Sequence, residues 1–268
     1  GELAKIVSDL YRELSGEFAT QSVIKELRKG IAYVKNMMLD EGAIGELDTG
    51  FDKFPELYSR YNQVLRQQRW MDYDDQMVYA YMLLRKDKNL LQHFRQMYPY
   101  ICVDEAQDTS KIQHAIIALL TDKAQNIFMV GDEDQSIYGF RAAYPKALLS
   151  FEKNYPDAKV LLMEENFRSN ADIVTAADQF IQKNTMRHAK HMTAGNSCKG
   201  KVRQIDLNSR MAQYTYLLKV AEECRDQTAV LYRDNECALP LIDLLERKNV
   251  PYRMRNAELT FFSHRVVV

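Results

Sequence analysis

The stretch Tyr100-Ile101-Cys102-Val103-Asp104-Glu105-Ala106-Gln107-Asp108 decides how the chain is read. A short apolar run leads straight into a pair of carboxylates. Such a run predicts a buried strand, and the two acids then fall at its C-terminal edge. In nucleoside triphosphatases a pair of this kind divides the work. The first acid holds Mg²⁺, and the second orients or deprotonates the attacking water. Mg²⁺ takes one or two carboxylates and fills its shell with phosphate oxygens and water, so two adjacent acids suffice. A solvated turn after a strand is the plainer alternative, and the motif alone leaves both open. Just beyond it, Ser110-Lys111-Ile112-Gln113 has the spacing of a capping box opening a helix.

Downstream, the pattern repeats. Asn126–Val130 and Lys159–Met163 are two further apolar runs that end in polar or acidic clusters. Helical patterns fill Ser110–Leu120, Pro145–Asn154 and Ser169–Asn184. From Lys201 the alternation restarts: Lys201–Leu207, Thr228–Tyr232 and Pro251–Met254 read as strands, Arg210–Glu223 and Leu239–Lys248 as helices. Short apolar runs alternating with helices predict an α/β fold with a parallel sheet covered by helices, whose ligands bind at the carboxyl ends of the strands. Upstream of Tyr98 the chain reads as helices only. Val23, Leu27, Ile31, Val34 and Met38 fall on one face of a helix over Ser22–Leu39, and Leu57, Tyr61, Val64 and Leu65 do the same over Phe54–Trp70. Tyr73–Met97 continues in helical style.

Two of the strand ends carry further chemistry. The first is Gly131-Asp132-Glu133-Asp134-Gln135-Ser136-Ile137-Tyr138-Gly139-Phe140-Arg141. Here Gln135 can bond a phosphate or an attacking water, Tyr138 and Phe140 can stack on bases, and Arg141 can meet a phosphate or a strand-end acid. Core packing for the aromatics and a surface role for Arg141 is the competing reading. The second is Glu164-Glu165-Asn166-Phe167-Arg168-Ser169-Asn170. Arg168, just before a helix, is placed to reach a γ-phosphate. Phe167 either stacks on a nucleobase or packs on the core.

Composition sets the outer bounds. The chain has 268 residues, 46% hydrophobic and 27% charged, with a net charge of -1. That fits a globular protein of one or two domains and excludes a collagen or a disordered tail. The longest apolar run, Ala115–Leu120, is far short of the ~18–20 residues that span a bilayer. The near-neutral charge argues against a wholesale polyanion binder but leaves room for a local basic groove. Cys102, Cys198, Cys224 and Cys237 form no C-x-x-C pair, which predicts a reduced, cytoplasmic protein. The first residue is Gly, and the last four are Arg265-Val266-Val267-Val268, which reads as a chain cut at both ends.

Taken together, these motifs resemble the UvrD/Rep/PcrA group of superfamily 1 helicases. Val103-Asp104-Glu105-Ala106-Gln107-Asp108-Thr109 resembles its motif II, the Val130–Ala142 stretch its motif III and Glu165-Asn166-Phe167-Arg168-Ser169 its motif IV. Ile31–Asn36 and Trp70–Asp75 resemble its helical 1B insertion and the return to domain 1A, and Val230–Arg233 and Val250–Arg253 the start of domain 2A. The resemblance implies a RecA-like, P-loop-type parallel sheet flanked by helices, with an N-terminal all-helical subdomain. It divides the chain into a partial 1B-like part (1–70), the C-terminal part of 1A (71–200) and a truncated start of 2A (201–268). It implies an ATP-dependent motor that translocates on single-stranded DNA and unwinds duplex DNA, in repair or replication. By the same resemblance Asp104 serves Mg²⁺ and Glu105 is the catalytic base. Gln135 and Arg168 sense the γ-phosphate, Phe167 stacks on adenine, and Phe140, Tyr138 and Arg141 face DNA. Phe140 stands where the family usually has Trp, and Ala106 where it often has Phe.

No G-x-x-x-x-G-K-[ST] cradle is present. The near-match Gly195-Asn196-Ser197-Cys198-Lys199-Gly200-Lys201-Val202 ends on Val instead of a hydroxyl and follows a helix, so it reads as a connector. The chain taken alone is therefore expected to lack ATPase activity. Gln179–Ile205 carries Lys183, Arg187, Lys190, Lys199, Lys201 and Arg203 without an acid. It reads as a solvated connector in preference to a phosphate-binding strip. His188, His191 and Cys198 fall short of the four ligands of a structural zinc site. Two other function classes compete: a helicase-like nucleic-acid-binding or regulatory module without hydrolysis, and a metal-dependent nuclease using Asp104, Glu105, Asp132 and Asp134.

Overall fold

The computed structural model describes residues 1–121, 126–139, 142–196, 200–224 and 227–254. The chain divides into two compact units, Gly1–Gly200 and Lys201–Val268.

The first unit begins with helices α1 (Glu2–Ser15), α2 (Gln21–Met37), α3 (Glu41–Gly45), α4 (Phe54–Gln68), α5 (Tyr73–Lys86) and α6 (Lys88–Met97). Local signals set their ends. Thr20 caps α2 by accepting the Val23 N–H, and Gly16 closes α1 in the left-handed conformation at φ 80°. The helical stretch read as continuous over Tyr73–Met97 is two helices. Asp87 ends α5 and caps α6, its carboxylate accepting the Asn89 and Leu90 N–H groups. The core of this part joins Val7, Leu10 and Leu14 of α1, Leu27, Ile31 and Val34 of α2, and Phe54, Leu57, Tyr61 and Leu65 of α4. Full burial of each such side chain contributes roughly 1.5–3 kcal/mol, so the period-3.6 stripes are what hold these helices together.

Lys35 lies on the buried side of α2. Its ammonium meets Asp72 at 2.6 Å and Asp75 at 2.7 Å. These two acids form the capping box of α5, each giving one oxygen to the other's N–H and the second to Lys35. The Tyr61 hydroxyl donates to Asp72 as well.

After α6 the chain becomes α/β. Strand β1 (Ile101–Val103) leads through a 3-10 turn (Ala106–Asp108) to α7 (Lys111–Thr121) and then β2 (Ile127–Met129), which pairs parallel to β1 with Cys102 beside Phe128. At the start of α7, Gln113 accepts the Ser110 N–H, as a capping box requires, while the Ser110 hydroxyl bonds the Gln113 side chain and not its backbone. Helices α8 (Lys146–Leu149) and α9 (Phe151–Asn154) replace the single helix expected over Pro145–Asn154. Next come β3 (Glu165–Asn166), α10 (Ala171–Ile181) and β4 (Thr193–Ala194), with β3 parallel to β4.

The second unit holds α11 (Arg210–Glu223) and α12 (Asn235–Arg247), packed through Tyr214, Leu218, Leu241 and Leu245. Helix α12 starts four residues before the expected Leu239, because Asp234 caps it by accepting the Cys237 N–H, and Pro240 falls inside it.

The strands expected over Lys159–Met163, Lys201–Leu207, Thr228–Tyr232 and Pro251–Met254 are not strands among the described residues. Leu161 and Met163 are both 83% exposed. A strand exists only against a partner ladder, and apolar content cannot supply one. The fold is thus helix-rich α/β with small parallel sheets. No helix among the described residues is long and apolar enough to cross a membrane.

Candidate active site

The site is built where β1 and β2 end. Val103 accepts the Val130 N–H and Val130 accepts the Ala106 N–H, so the two strand ends stay in register as the chain turns away. Asp104 follows β1 directly. Its Oδ1 accepts the Glu105 N–H at 2.9 Å. Glu105 sits in the left-handed region, φ 49° and ψ 41°, a conformation that costs a non-glycine residue about 1–2 kcal/mol. It swings the chain out of the strand and into the 3-10 turn. Both carboxylates are exposed at the sheet edge. A hard, solvent-facing carboxylate at this position fits an Mg²⁺ ion that keeps most of its waters, so Asp104 is able to hold one.

Gln107 ties the two strand ends together. It is 2% exposed. Its Nε2 donates to Glu105 Oε2 at 2.7 Å, and its Oε1 accepts the Asp132 N–H at 3.0 Å. Its carbonyl accepts the Ser136 hydroxyl. Both halves of the amide are therefore satisfied, which fixes its orientation. Gly131 makes room for this. A Cβ there would lie 2.8 Å from Gln107 Oε1 and 2.8 Å from Leu148 Cδ1, so those side chains would have to shift to admit one. The sequence does not single out Gln107, because a lone amide between acids carries no spacing signal.

Gln135 belongs to the same network, on a short 3-10 turn (Glu133–Gln135). Its Nε2 donates to Asp132 Oδ2 at 2.7 Å. A carboxylate only accepts hydrogen bonds, so the amide nitrogen points to Asp132 and Oε1 is turned away from it. Tyr138 follows, half-buried, its carbonyl accepting the Ala143 N–H. Phe140 and Arg141 lie outside the described residues.

The acidic loop is neutralised from an unexpected direction. Lys190 Nζ lies 2.7 Å from Asp132 Oδ1, 3.3 Å from Glu133 Oε2 and 3.4 Å from Asp134 Oδ2. Arg187 holds Asp134 with two bonds, at 2.8 and 2.7 Å, and the His188 N–H reaches Glu133 at 2.9 Å. Burial pushes the Asp132 and Glu133 carboxyls up, but bonds from Lys190 and Gln135 to Asp132, and from the His188 N–H and Lys190 to Glu133, outweigh it. Both end below the ordinary carboxylate values. The reading of Arg187 and Lys190 as solvated connector charges is thereby corrected. The nuclease reading loses Asp132 and Asp134 as well, since cations already occupy their oxygens. His188 and His191 face Glu133 and Asp178 respectively. No group of three or more His, Cys, Asp and Glu among the described residues is arranged to hold a metal, and Cys198 lies outside those residues.

Phe167 and Arg168 follow β3 in an exposed turn. Asn166 shapes it by accepting the Arg168 and Ser169 N–H groups at 3.0 and 2.9 Å. Phe167 is 70% exposed, not a core residue. Its ring lies against Gly195, where a Cβ would approach Cδ1 to 2.5 Å. That contact explains one glycine of the cradle-like segment without a phosphate. The described contacts join Glu105, Gln107, Asp132 and Gln135 into one network. They give the Arg168 guanidinium no hydrogen bond or ion pair.

Residues 2–156 match the sequence model of the UvrD/REP helicase N-terminal domain, and residues 161–267 that of the UvrD-like helicase C-terminal domain. The chain therefore belongs to the UvrD/Rep helicase family. Among its relatives, the ATP-dependent DNA helicase PcrA of Staphylococcus epidermidis is 33% identical over 204 residues, 74% of this chain and 28% of the relative. PcrA of Staphylococcus aureus is 32% identical over the same share. The putative ATP-dependent DNA helicase YjcD of Bacillus subtilis is 29% identical over 272 residues, 96% of this chain and 34% of the relative. The chain thus spans about a third of the length of the curated relatives it matches.

Proposed function

We propose that this chain is the part of an ATP-dependent DNA helicase that activates the hydrolytic water and senses the γ-phosphate, in a motor that translocates on single-stranded DNA and unwinds duplex. The observation that carries this reading is the Gln107 bridge. One buried amide holds both the Glu105 carboxylate and the backbone of the loop bearing Gln135.

Glu105 is assigned as the base. Its Oε2 accepts from Gln107, which holds the carboxylate in the orientation a water at the sheet edge needs. Asp104 is assigned to Mg²⁺, which when bound would neutralise charge on the nucleotide phosphates. Gln135, with Oε1 turned away from Asp132, is suited to accept a hydrogen bond from the attacking water. Arg168 supplies for the γ-phosphate a cation that has no partner among the described residues, and Phe167 an exposed ring for adenine. Tyr138, Phe140 and Arg141 are assigned to DNA. Residues 1–70 are assigned to a 1B-like subdomain, 71–200 to a RecA-like domain 1A and 201–268 to the start of 2A. Repair or replication in the cytoplasm is the proposed setting, in keeping with Cys102 and Cys237 as free thiols among the described residues.

The test uses a full-length polypeptide that joins this chain to a phosphate-binding loop. Glu105→Gln is expected to lower single-stranded-DNA-stimulated ATP turnover by about 10²–10⁴-fold while nucleotide binding persists. The 268-residue chain alone, lacking the loop, is expected to turn over no ATP. Wild-type turnover in E105Q would remove Glu105 as base. Nucleic-acid binding without turnover in the unaltered full-length protein would favour the non-hydrolysing module.

A further inference from the structure

The segment from Arg187 to Gly195 touches both halves of the site. At one end, Arg187 and Lys190 grip Asp132 and Asp134 beside Gln135. At the other, Thr193 and Gly195 donate to the carbonyls of Glu164 and Asn166, pairing β4 with the strand that leads into Phe167 and Arg168. Between them the His191 N–H bonds the Glu164 carboxylate at 3.1 Å. The grip also crosses a family boundary, because Asp132 and Asp134 fall in the N-terminal match and Arg187 and Lys190 in the C-terminal one.

From this geometry we propose that Arg187 and Lys190 are positioning residues for Gln135, acting through Asp132 and Asp134. The inference rests on the hydrolytic role assigned above. Asp132 is the relay. Its Oδ1 takes the Lys190 ammonium at 2.7 Å, its Oδ2 takes the Gln135 amide at 2.7 Å, and Oδ1 also takes the Asp134 N–H at 3.2 Å. Without Lys190, Asp132 gains freedom to rotate, and Gln135 loses the partner that sorts its nitrogen from its oxygen. Arg187 acts two residues further along the loop, at Asp134. Its planar fork fixes the Asp134 carboxylate in two directions, which a single charge cannot do. The side chains of Arg187 and Lys190 are only 5% and 10% exposed, so they are committed to this loop and not presented to solvent or nucleic acid. The same segment sets the β3 turn through β4. Displacing it therefore shifts Gln135 and Arg168 together.

The experiment measures Lys190→Met, Lys190→Arg and Arg187→Gln in the full-length polypeptide. DNA-stimulated ATP hydrolysis is resolved into kcat and KM, and hydrogen exchange is followed at the amides of Gln135 and Ser136. Those amides donate to Asp132 and Glu133 carbonyls within the loop. K190M and R187Q are expected to lower kcat at least about tenfold with KM for ATP little changed, as misplacing a group that acts in the transition state does. Exchange is expected to quicken at Gln135 and Ser136 while β1 and β2 keep their protection. K190R is expected to recover most of kcat. A merely structural role would lower the melting temperature and leave kcat per folded molecule unchanged, and that result overturns the proposal. So does unchanged exchange in the loop. If the unaltered protein hydrolyses no ATP, the hydrolytic reading fails, and the exchange measurement alone then decides whether the clasp orders the loop.

Discussion

Lys35 and Lys190 are both lysines drawn into groups of carboxylates, but their surroundings differ. Lys35, with its side chain 2% exposed, lies on α2, which Ile31 and Val34 pack into one core with Leu57 and Leu65 of α4, and it meets the two acids that open α5. Lys190 lies between two stretches of loop, and the carboxylates it meets belong to a 3-10 turn with no apolar core of its own. In the first region packing places the charges. In the second the charges place the chain. One arrangement therefore serves the stability of the whole unit, and the other serves the order of one loop.

Removing the Lys35 charge breaks this comparison most forcefully. Lys35→Met leaves Asp72 and Asp75 buried beside each other with no cation. Breaking a buried pair by deleting one partner costs about 3–5 kcal/mol. Tyr61 does not compensate. Burial and then the Asp72 carboxylate push its hydroxyl above the ordinary range, so it remains one neutral donor. Denaturant unfolding of the unit is expected to register most of that loss. Adding Asp72→Asn and Asp75→Asn is expected to recover part of it. A K35M midpoint within 0.5 kcal/mol of wild type, roughly the scatter of ordinary surface changes, would mean that the two regions do not differ as described.

The first region was also far easier to read in the sequence. Ile31 and Val34 fall on one face of α2 by spacing alone, and the structure buries both. Asp104 and Glu105 were legible because an apolar run ends on them. The clasp was not, because its partners are 53 and 58 residues apart. No local pattern links an acid-free basic stretch to three consecutive acids so far upstream. The complementary charge of those two stretches was the available signal. The expected strand over Lys159–Met163 failed for a related reason: its apolar content is local, but a ladder partner is not.

A second prediction sharpens the loop side. Gly131→Ala puts a methyl against Gln107 Oε1 and Leu148 Cδ1, both at 2.8 Å, and near the Ala106 nitrogen at 3.2 Å. Overpacking of this kind costs about 1–3 kcal/mol. The larger consequence is local. Gln107 must move, and with it the bond to Glu105 and the one to the Asp132 N–H. Calorimetry is expected to show a modest fall in melting temperature, while exchange at the Asp132 amide quickens strongly. A G131A protein with wild-type exchange there would show that Gln107 does not depend on the glycine.

The smallest effect concerns pH. The groups facing one another in the clasp are Asp132, Glu133 and Asp134 from one loop and Arg187, His188 and Lys190 from the other. Asp132 and Glu133 are held below their ordinary values of 3.8 and 4.5. For a depressed carboxyl the stabilisation is complete above the ordinary value and is lost as pH falls through the lowered one. Lys190 runs the other way. Burial lowers its pKa, but Asp132, Glu133 and Asp134 raise it more, so it ends above 10.5, and its contribution is lost only as pH climbs past that raised value. The clasp should therefore hold across the neutral range and loosen at both extremes. Asp132 is 36% exposed, so solvent screening keeps its share within the ~0–1 kcal/mol of an exposed pair. Exchange at Gln135 and Ser136, corrected for the intrinsic effect of pH, is expected to quicken below about pH 4, where free carboxyls take up protons. Helix α2 is expected to stay protected at the onset of that change, because its apolar packing does not titrate and the Asp72 carboxyl that meets its Lys35 is likewise held below its ordinary value. Simultaneous loss in both places would mean that the loop has no local stability separate from the core, and that Lys190 acts as Lys35 does.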